Sequence, residues 1–197
     1  MMDLGGTKME DVLIWVDEED HEIGYGEKMD THRREQLHRA FSLFLYHREA
    51  QKLLIHRRSQ GKYHSGGLWT NACCSHPRKG ESLAQAVVRR AQEELGIALG
   101  PHPHIIAAGK FQYYQKYKNC AEHEVDHVFL LCATEFPTLH VNPDEIADTM
   151  WISIPDLQHW MEVHPEQFTA WFPKALELTL LQIHRMEDIS VDMLSCL

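Results

Sequence analysis

Two short segments of the chain carry side chains that suit acid–base and metal chemistry. One segment reads TNACCSHP and, if it is extended, places Cys74 and His76 on the same face, two positions apart. The other reads AEHEVDH, and the same spacing aims Glu122 and Glu124 at a common point. Two carboxylates so close repel each other unless a metal ion or a proton offsets their charge. A metal ion beside a tuned thiol is one interpretation, and core cysteines with ordinary surface acids are the alternative.

Two further histidines, His32 and His38, precede a run of strand-forming residues. A lone histidine is more often structural or solvated than a ligand, so neither is assigned by itself. Taken with His76, Glu122 and Glu124, they offer three imidazoles and two carboxylates. Such a set of nitrogen and oxygen donors suits a divalent transition metal with more than four ligands, unlike a tetrahedral thiolate zinc site.

The clearest helix of the sequence ends in acidic residues. Ser82 is a suitable N-cap, apolar residues then recur at helical spacing, and Gly96 follows as the C-cap. Glu93 and Glu94 stand just before this glycine, where the helix dipole disfavours carboxylates. A cation must compensate, either an arginine of the preceding turn or a bound metal. A solvated charged turn is the simpler alternative.

The elements that must position these residues are strands arranged in hairpins around that helix. The predicted strands are 12–16, 37–46, 52–57, 68–74, 105–117, 124–133 and 150–154. We expect 37–46 and 52–57 to form one hairpin, and 105–117 and 124–133 to form another around a polar tip at 118–123. Gly24-Tyr25-Gly26 is expected to be a break, and helices are expected from Pro155 and from Pro165 onward.

The helix and its flanks resemble the Nudix box, a loop–helix–loop whose glutamates hold Mg2+ on a diphosphate. The resemblance rests on Gly80-Glu81 and on the run RRAQEELGI that starts at Arg89. It departs at two positions, since Ser75 replaces the opening glycine and Arg90 replaces the glutamate after the box's arginine. A positive side chain at a metal-ligand position argues against the usual hydrolysis. Hydrolysis of a diphosphate, the usual activity of proteins with this box, is kept as the alternative activity.

Three separated motifs, LHRAFS, TNACCSHP and EHE, together resemble those of type I isopentenyl-diphosphate isomerases, Nudix-fold enzymes of isoprenoid synthesis. The likeness covers roughly residues 12–173. It implies interconversion of isopentenyl and dimethylallyl diphosphate by protonation and deprotonation through a carbocation-like state. It also implies one divalent transition metal, Mn2+ or Zn2+, and a Mg2+ that arrives with the substrate diphosphate.

The resemblance also implies a role for individual side chains. The acid–base couple is Cys74 and Glu124. Tyr113 is the tyrosine beside it, and Trp171 is the indole that faces the reacting carbons. The ligands of the transition metal are His32, His38, His76, Glu122 and Glu124, and the ligand of the Mg2+ is Glu94. The side chains that bind the diphosphate are Lys28, Arg58, Lys62 and Arg90.

Length and composition are consistent with this reading. A chain of 197 residues, 44% hydrophobic and 24% charged, suits a single α+β domain, with the Nudix fold, mixed β-sheets and flanking helices. We expect the domain to fill 1–197, with a core at about 12–173 and a C-terminal helical tail over 174–197. A non-enzymatic alternative is a structural zinc site formed by Cys74, His76, Cys120 and His123.

The charge and the cysteine content limit which partners and which cellular compartment are expected. The formal net charge of −10 disfavours nucleic acid and anionic membranes, and the apolar runs are too short to span a bilayer. Met1 to Asp11 does not have the pattern of a secretory signal, and five cysteines without framework spacing indicate free thiols. We therefore expect a cytoplasmic monomer or weak homodimer whose partner is a small allylic or homoallylic diphosphate.

Overall fold

The computed structural model of the chain describes residues 12–100 and 103–195, with side chains up to residue 188. Its strands are β1 (Val12–Val16), β2 (Glu22–Glu27), β3 (His38–His47), β4 (Lys52–Arg58), β5 (Trp69–Thr70), β6 (Cys73–Ser75), β7 (Ile105–Lys116), β8 (Ala121–Ala133) and β9 (Ile146–Ser153). Its α-helices are α1 (Lys28–Arg33), α2 (Leu83–Leu95), α3 (Ile154–Val163) and α4 (Phe172–Ser195), and a 3-10 turn spans Pro165–Gln167. The mixture of strands and flanking helices is the α+β architecture expected from the sequence.

Strand β3 lies at the centre because it is apolar on both faces, as expected for a strand covered on both sides. It runs parallel to β8 over its whole length, from His38 opposite Glu124 onward. Short strand β6 pairs antiparallel with β3, which places Cys74 opposite Ser42. One face of β3 packs on α2, and the other packs on α3 and α4, with Phe44 in this second core cluster. The register of β3 therefore brings the residues of three separate segments together.

The expected hairpin of β3 and β4 forms only at its turn. The two strands pair at Tyr46–Leu53 and His47–Lys52, and β4 then diverges to pair with β5 and with β9. Residues near the open ends of the two strands, Ala40 and Arg58, line one cavity. The divergence of the two strands thus makes room for a pocket that a continuous hairpin would fill.

The second hairpin, β7 with β8, is present, but its polar tip is shorter than predicted. Strand β8 already begins at Ala121, so the turn covers 117–120 and both Glu122 and Glu124 lie within the paired strand. The prediction of a tip over 118–123 was wrong because the polar residues there resemble a loop, although one of them, Glu122, faces a buried cluster.

The predicted break at Gly24-Tyr25-Gly26 was also wrong, because these residues belong to β2. The glycines are needed for packing rather than for a turn. A Cβ atom on Gly26 would come within 2.2 Å of the Trp15 ring and 2.8 Å of the Thr31 hydroxyl. Helix α1, which follows at once, was read from the sequence only as a polar stretch. Glu27 caps it by accepting hydrogen bonds from the backbone amides of Met29 and Asp30.

Helix α2 has the ends that the sequence predicts. Ser82 and Gln85 form a reciprocal capping box, and Gly96 ends the helix with a φ of 70°. The expected tail corresponds to α4, although residues 196 and 197 lie outside the described residues. The expectation about the first eleven residues also falls outside them. Within the two described ranges, no helix is both long enough and apolar enough to cross a membrane.

Candidate active site

Three imidazoles and two carboxylates meet near the start of the parallel β3–β8 pair. The donor atoms of His32, His38, His76, Glu122 and Glu124 all lie within 4.8 Å of one another. Helix α1 supplies the first, β3 the second, the segment after β6 the third, and β8 both carboxylates. Because side chains alternate along a strand, the two glutamates share the inner face of β8.

The chemistry of this donor set fits a divalent cation. Nδ1 of His32 lies 2.6 Å from the carbonyl four residues earlier, and Nδ1 of His38 lies 2.8 Å from the carbonyl two residues earlier. In each ring, Nδ1–H donates a hydrogen bond to that backbone carbonyl. Nε2 is then unprotonated, and its lone pair points into the cluster. Nε2 of His38 is 3.3 Å from Nε2 of His76, and both are within 3.3 Å of Oε1 of Glu124. Lone pairs that face each other in this way call for a positive charge between them.

Two imidazoles of the cluster favour metal binding, and its two carboxyl groups differ in proton affinity. Burial lowers the pKa of His38 to about 4 and lowers that of His76 well below the ordinary value, so both rings are neutral near pH 7. Burial and the neighbouring charge of Glu122 raise the pKa of Glu124. Although burial opposes it, hydrogen bonds from Glu124 and His64 lower the pKa of Glu122. The two carboxyl groups therefore differ in proton affinity, which is higher at Glu124 than at Glu122.

The two candidate proton-transfer groups, Cys74 and Glu124, line the same cavity of about 450 Å³, a volume that includes its open mouth. Burial raises the pKa of Cys74 to about 12, so this side chain is a neutral thiol near pH 7. Its sulfur accepts a hydrogen bond from Arg58 at 3.5 Å. Oε2 of Glu124 accepts a hydrogen bond from the hydroxyl of Tyr113 at 2.7 Å. The cavity thus contains a protonated thiol and an oriented carboxyl group.

Trp171 forms one wall of this cavity just before helix α4. Its indole N–H donates a hydrogen bond to Oδ1 of Asn71 at 3.3 Å, which fixes the orientation of the ring. The guanidinium of Arg58 lies 5.3 Å from the indole, and the ring of Tyr113 lies 6.1 Å from it. The indole already packs against one cation and is suited to face another.

Four basic side chains from four different segments line the same cavity: Lys28, Arg58, Lys62 and Arg90. Glu145 contacts two of them, Lys62 and Arg90. Burial and the positive charges of Lys62 and Arg90 lower the pKa of Lys28. Glu94 is a second carboxylate partner of Arg90. Since two carboxylates do not balance four cations, the cavity mouth is suited to a ligand with several negative charges.

Glu94 is not one of the five clustered donors. It is buried at the end of α2, where Nε of Arg90 donates a hydrogen bond to its Oε1 at 2.8 Å. The neighbouring Arg89 bonds Glu81 at 2.7 Å and also reaches the backbone carbonyl of His76 at 3.3 Å. The cations that compensate the acidic end of the helix are therefore arginines in this structure. Through the carbonyl of His76, Arg89 also links helix α2 to one of the five clustered donors.

The structural zinc alternative is not supported by the geometry. His123 lies between Glu122 and Glu124 on β8 and therefore faces the opposite side of the strand. Its Nδ1 is 2.9 Å from the carbonyl oxygen of Glu35, outside the cavity. Among the described residues, the clusters that could hold a metal ion contain histidine and carboxylate but no cysteine.

Three histidine or carboxylate side chains of the cavity were given no role in the sequence analysis: His64, Asp126 and Glu145. Asp126 continues the spacing of the two glutamates on β8, so its position on the inner face was available from the sequence. Ser42 donates a hydrogen bond to its Oδ2 at 2.8 Å, and burial raises its pKa to about 7. His64 stands two positions after Lys62 in a glycine-rich loop, a pattern that does not reveal which way the ring points.

Comparisons with known proteins give a consistent picture. The NUDIX domain family matches residues 36–172. An isopentenyl-diphosphate Delta-isomerase of Photobacterium profundum is 42% identical over 178 residues, 89% of this chain and 97% of the relative. Another protein of that name, from Burkholderia multivorans, is 42% identical over 182 residues, 90% of this chain and 98% of the relative. The similarity extends over nearly the full length of both relatives.

Solved structures show the same fold. A MutT NUDIX hydrolase from Burkholderia pseudomallei superposes with a TM-score of 0.58 at 23% identity, covering 73% of this chain and 98% of the other. The DR0079 protein of Deinococcus radiodurans superposes with a TM-score of 0.63, also at 23% identity, covering 77% of this chain and 89% of the other. These likenesses, at low identity, concern the fold alone, and they confirm the Nudix fold expected from the sequence.

Proposed function

Because the chain belongs to the NUDIX domain family and, within it, to the isopentenyl-diphosphate Delta-isomerases, we propose that its cavity interconverts isopentenyl diphosphate and dimethylallyl diphosphate. Moving the double bond requires a proton to be added at one carbon and another to be removed from a second carbon. An unactivated alkene is a very weak base, so the path runs through a tertiary carbocation-like state. The observation that carries the proposal is a single cavity lined by a thiol, a carboxyl group and four basic side chains.

The diphosphate end of the substrate binds at the basic mouth of the cavity. Lys28, Arg58, Lys62 and Arg90 neutralise and hold the phosphate oxygens, and this binding energy positions the distant carbons for reaction. Glu94 would be the protein ligand of a Mg2+ that accompanies the diphosphate. The diphosphate would then take the place of this carboxylate beside Arg90, a role that suits a positive residue at that position of the box.

The hydrocarbon end lies between Cys74 and Glu124, which are the proton-transfer couple. The protonated state of the thiol suits a proton donor, and Tyr113 holds the carboxyl group of Glu124 in place. Trp171 presents its π face to the positive charge of the intermediate, an interaction worth about 2 kcal/mol when desolvated. Water must be excluded, because it would capture the cation as an alcohol.

The five clustered donors hold one divalent transition metal, for which Mn2+ and Zn2+ are the candidates. When bound, this ion supplies a fixed positive charge that offsets the two carboxylates and sets the proton affinity of Glu124. The residues that hold the ion are therefore the same ones that orient the catalytic carboxyl group. This shared use explains why a redox-neutral isomerisation employs a metal site.

The hydrolase alternative is not favoured, and one experiment separates it from the isomerase. Incubation with isopentenyl diphosphate and Mg2+ in heavy water, followed by proton and phosphorus NMR, shows both outcomes in the same sample. The proposal predicts dimethylallyl diphosphate that carries deuterium. Release of phosphate with an unchanged carbon skeleton would establish the hydrolase and overturn the proposal, and an alcohol in significant yield would contradict the dry cavity.

We also propose that the enzyme works in the cytoplasm as a monomer or weak homodimer. The four cysteines that the structure describes are free thiols, as expected in a reducing compartment. Light scattering after size exclusion tests the oligomeric state, and a stable higher oligomer would contradict it.

A further inference from the structure

His64 reaches the metal cluster from a loop that contributes none of its five donors. The loop connects β4 to β5, and its shape depends on unusual backbone angles at Ser65, with a φ of 51°, and Gly67, with a φ of 79°. A Cβ on Gly67 would lie 2.4 Å from the side chain of Gln60, and one on Gly66 would lie 2.9 Å from the Gln60 carbonyl. A side chain at position 66 would meet backbone atoms, and glycine readily adopts the positive φ at position 67, so both glycines suit this compact loop.

The His64 ring is held on both sides. It is buried, with 7% of its surface exposed, and its centroid lies 4.5 Å from the ring of Tyr63 and 4.7 Å from that of Tyr117. Its Nδ1 lies 3.1 Å from Oγ of Ser65, and that oxygen lies 3.0 Å from the hydroxyl of Tyr117. Packing and hydrogen bonding therefore allow the ring a single orientation.

In that orientation, Nε2 of His64 contacts Oε1 of Glu122 directly. An ionised carboxylate only accepts hydrogen bonds, so Nε2 carries the proton and donates it. The same oxygen also lies 3.3 Å from Nε2 of His32. The hydrogen bond from His64, which lies outside the group of five, therefore fixes this oxygen beside a proposed metal ligand, His32.

We propose that His64 is a positioning residue for the metal: its hydrogen bond to Glu122 orients that carboxylate towards the other four donors. The inference rests on the proposed function, because it needs the metal site, although it does not depend on the reaction catalysed there. Partners that orient metal ligands in this way are commonly worth about 10- to 100-fold in metal affinity. His64 is expected to act at this level.

The test compares metal retention by the metal-loaded protein and three variants. His64→Phe keeps an aromatic ring between the two tyrosines but removes the donor, whereas His64→Gln restores an N–H donor. His123→Ala, on the opposite face of β8, is the matched control. Each protein is equilibrated against a series of chelator-buffered Zn2+ or Mn2+ concentrations, and the retained metal is measured by elemental mass spectrometry.

We expect His64→Phe to need about 10- to 100-fold more free metal for half occupancy, and His64→Gln and His123→Ala to resemble the unchanged protein. Equal retention by His64→Phe, or equal losses in the Phe and Gln variants, would overturn the positioning role. If His64→Phe does not fold, His64→Ala takes its place in the same titration. A failure of the unchanged protein to retain any divalent metal would instead overturn the proposed metal site, and this inference with it.

Discussion

Tyr113 donates a hydrogen bond of 2.7 Å to Oε2 of Glu124, its direct partner across the antiparallel β7–β8 pair. The other oxygen of the same carboxyl group faces the imidazoles of the cluster, 2.8 Å from Nε2 of His76. One oxygen is thus available to a metal, while the other is fixed at the cavity. The strand register, rather than a flexible loop, sets the position of the proposed catalytic carboxyl group.

Tyr113→Phe removes this hydrogen bond while it keeps the ring that packs beside Trp171. A hydrogen bond to a charged group contributes about 1.5–3 kcal/mol, so we expect turnover to fall roughly 10- to 100-fold with little change in KM. Steady-state kinetics with isopentenyl diphosphate measure both quantities. The control is Tyr114→Phe, which alters the exposed hydrogen bond to Glu35. Unchanged turnover in Tyr113→Phe would contradict the role of the hydroxyl.

Cys74→Ala is expected to abolish isomerisation and to leave the fold and the metal content intact, because Cys74 is not one of the five donors. Glu124→Gln is expected to abolish the reaction as well, although it also alters a proposed metal ligand. Turnover, circular dichroism and metal content are measured for each variant, with Cys132→Ser as the control. Near-normal turnover in either Cys74→Ala or Glu124→Gln would refute the assignment of the couple.

The pH dependence of alkylation tests the protonated state of Cys74. Burial raises its pKa from 9.0 to about 12, so the thiolate fraction at pH 8 is roughly a thousandfold below that of an ordinary thiol. The rate of modification by iodoacetamide, followed at this cysteine by mass spectrometry, should still rise about tenfold per pH unit beyond pH 10. A plateau near pH 9 would show that the environment does not hold the proton on sulfur.

Asp126 provides a prediction about stability. Its pKa is raised by burial from 3.8 to about 7, so the neutral carboxyl is favoured in the folded state. The resulting stabilisation is complete below about pH 4 and is lost as the pH rises through about 7. Asp126→Asn removes this dependence, so its stability relative to the unchanged protein should increase as the pH rises from about 4 to about 7, by about 1.4 kcal/mol per pH unit. Denaturant unfolding at several pH values measures the difference, and parallel curves for the two proteins would disprove it.

Much of the site could be predicted from the sequence because short, regular spacings encode it. The two-residue period of Glu122 and Glu124 placed both on one face of a strand, and the expected arginine partners of the acidic helix end are Arg89 and Arg90. The capping residues of α2 were equally readable, since Ser82 and its partner are local in sequence.

The remaining features depend on contacts between distant segments. The inward turn of His64 follows from backbone angles and glycine packing within its loop, which side-chain type alone does not reveal. The divergence of β4 from β3 results from the competing strands β5 and β9. Gly26 was mistaken for a breaker because its real function is to accommodate the indole of Trp15.

The ion proposed to bind between the three imidazoles and two carboxylates is central to the proposed function, and metal content tests its presence most directly. Elemental mass spectrometry of the purified protein, paired with activity before and after strong chelation, is the decisive measurement. We predict about one divalent transition ion per chain, loss of isomerisation when it is removed, and recovery when Mn2+ or Zn2+ is returned. Full activity in a preparation shown to be free of metal would contradict the account.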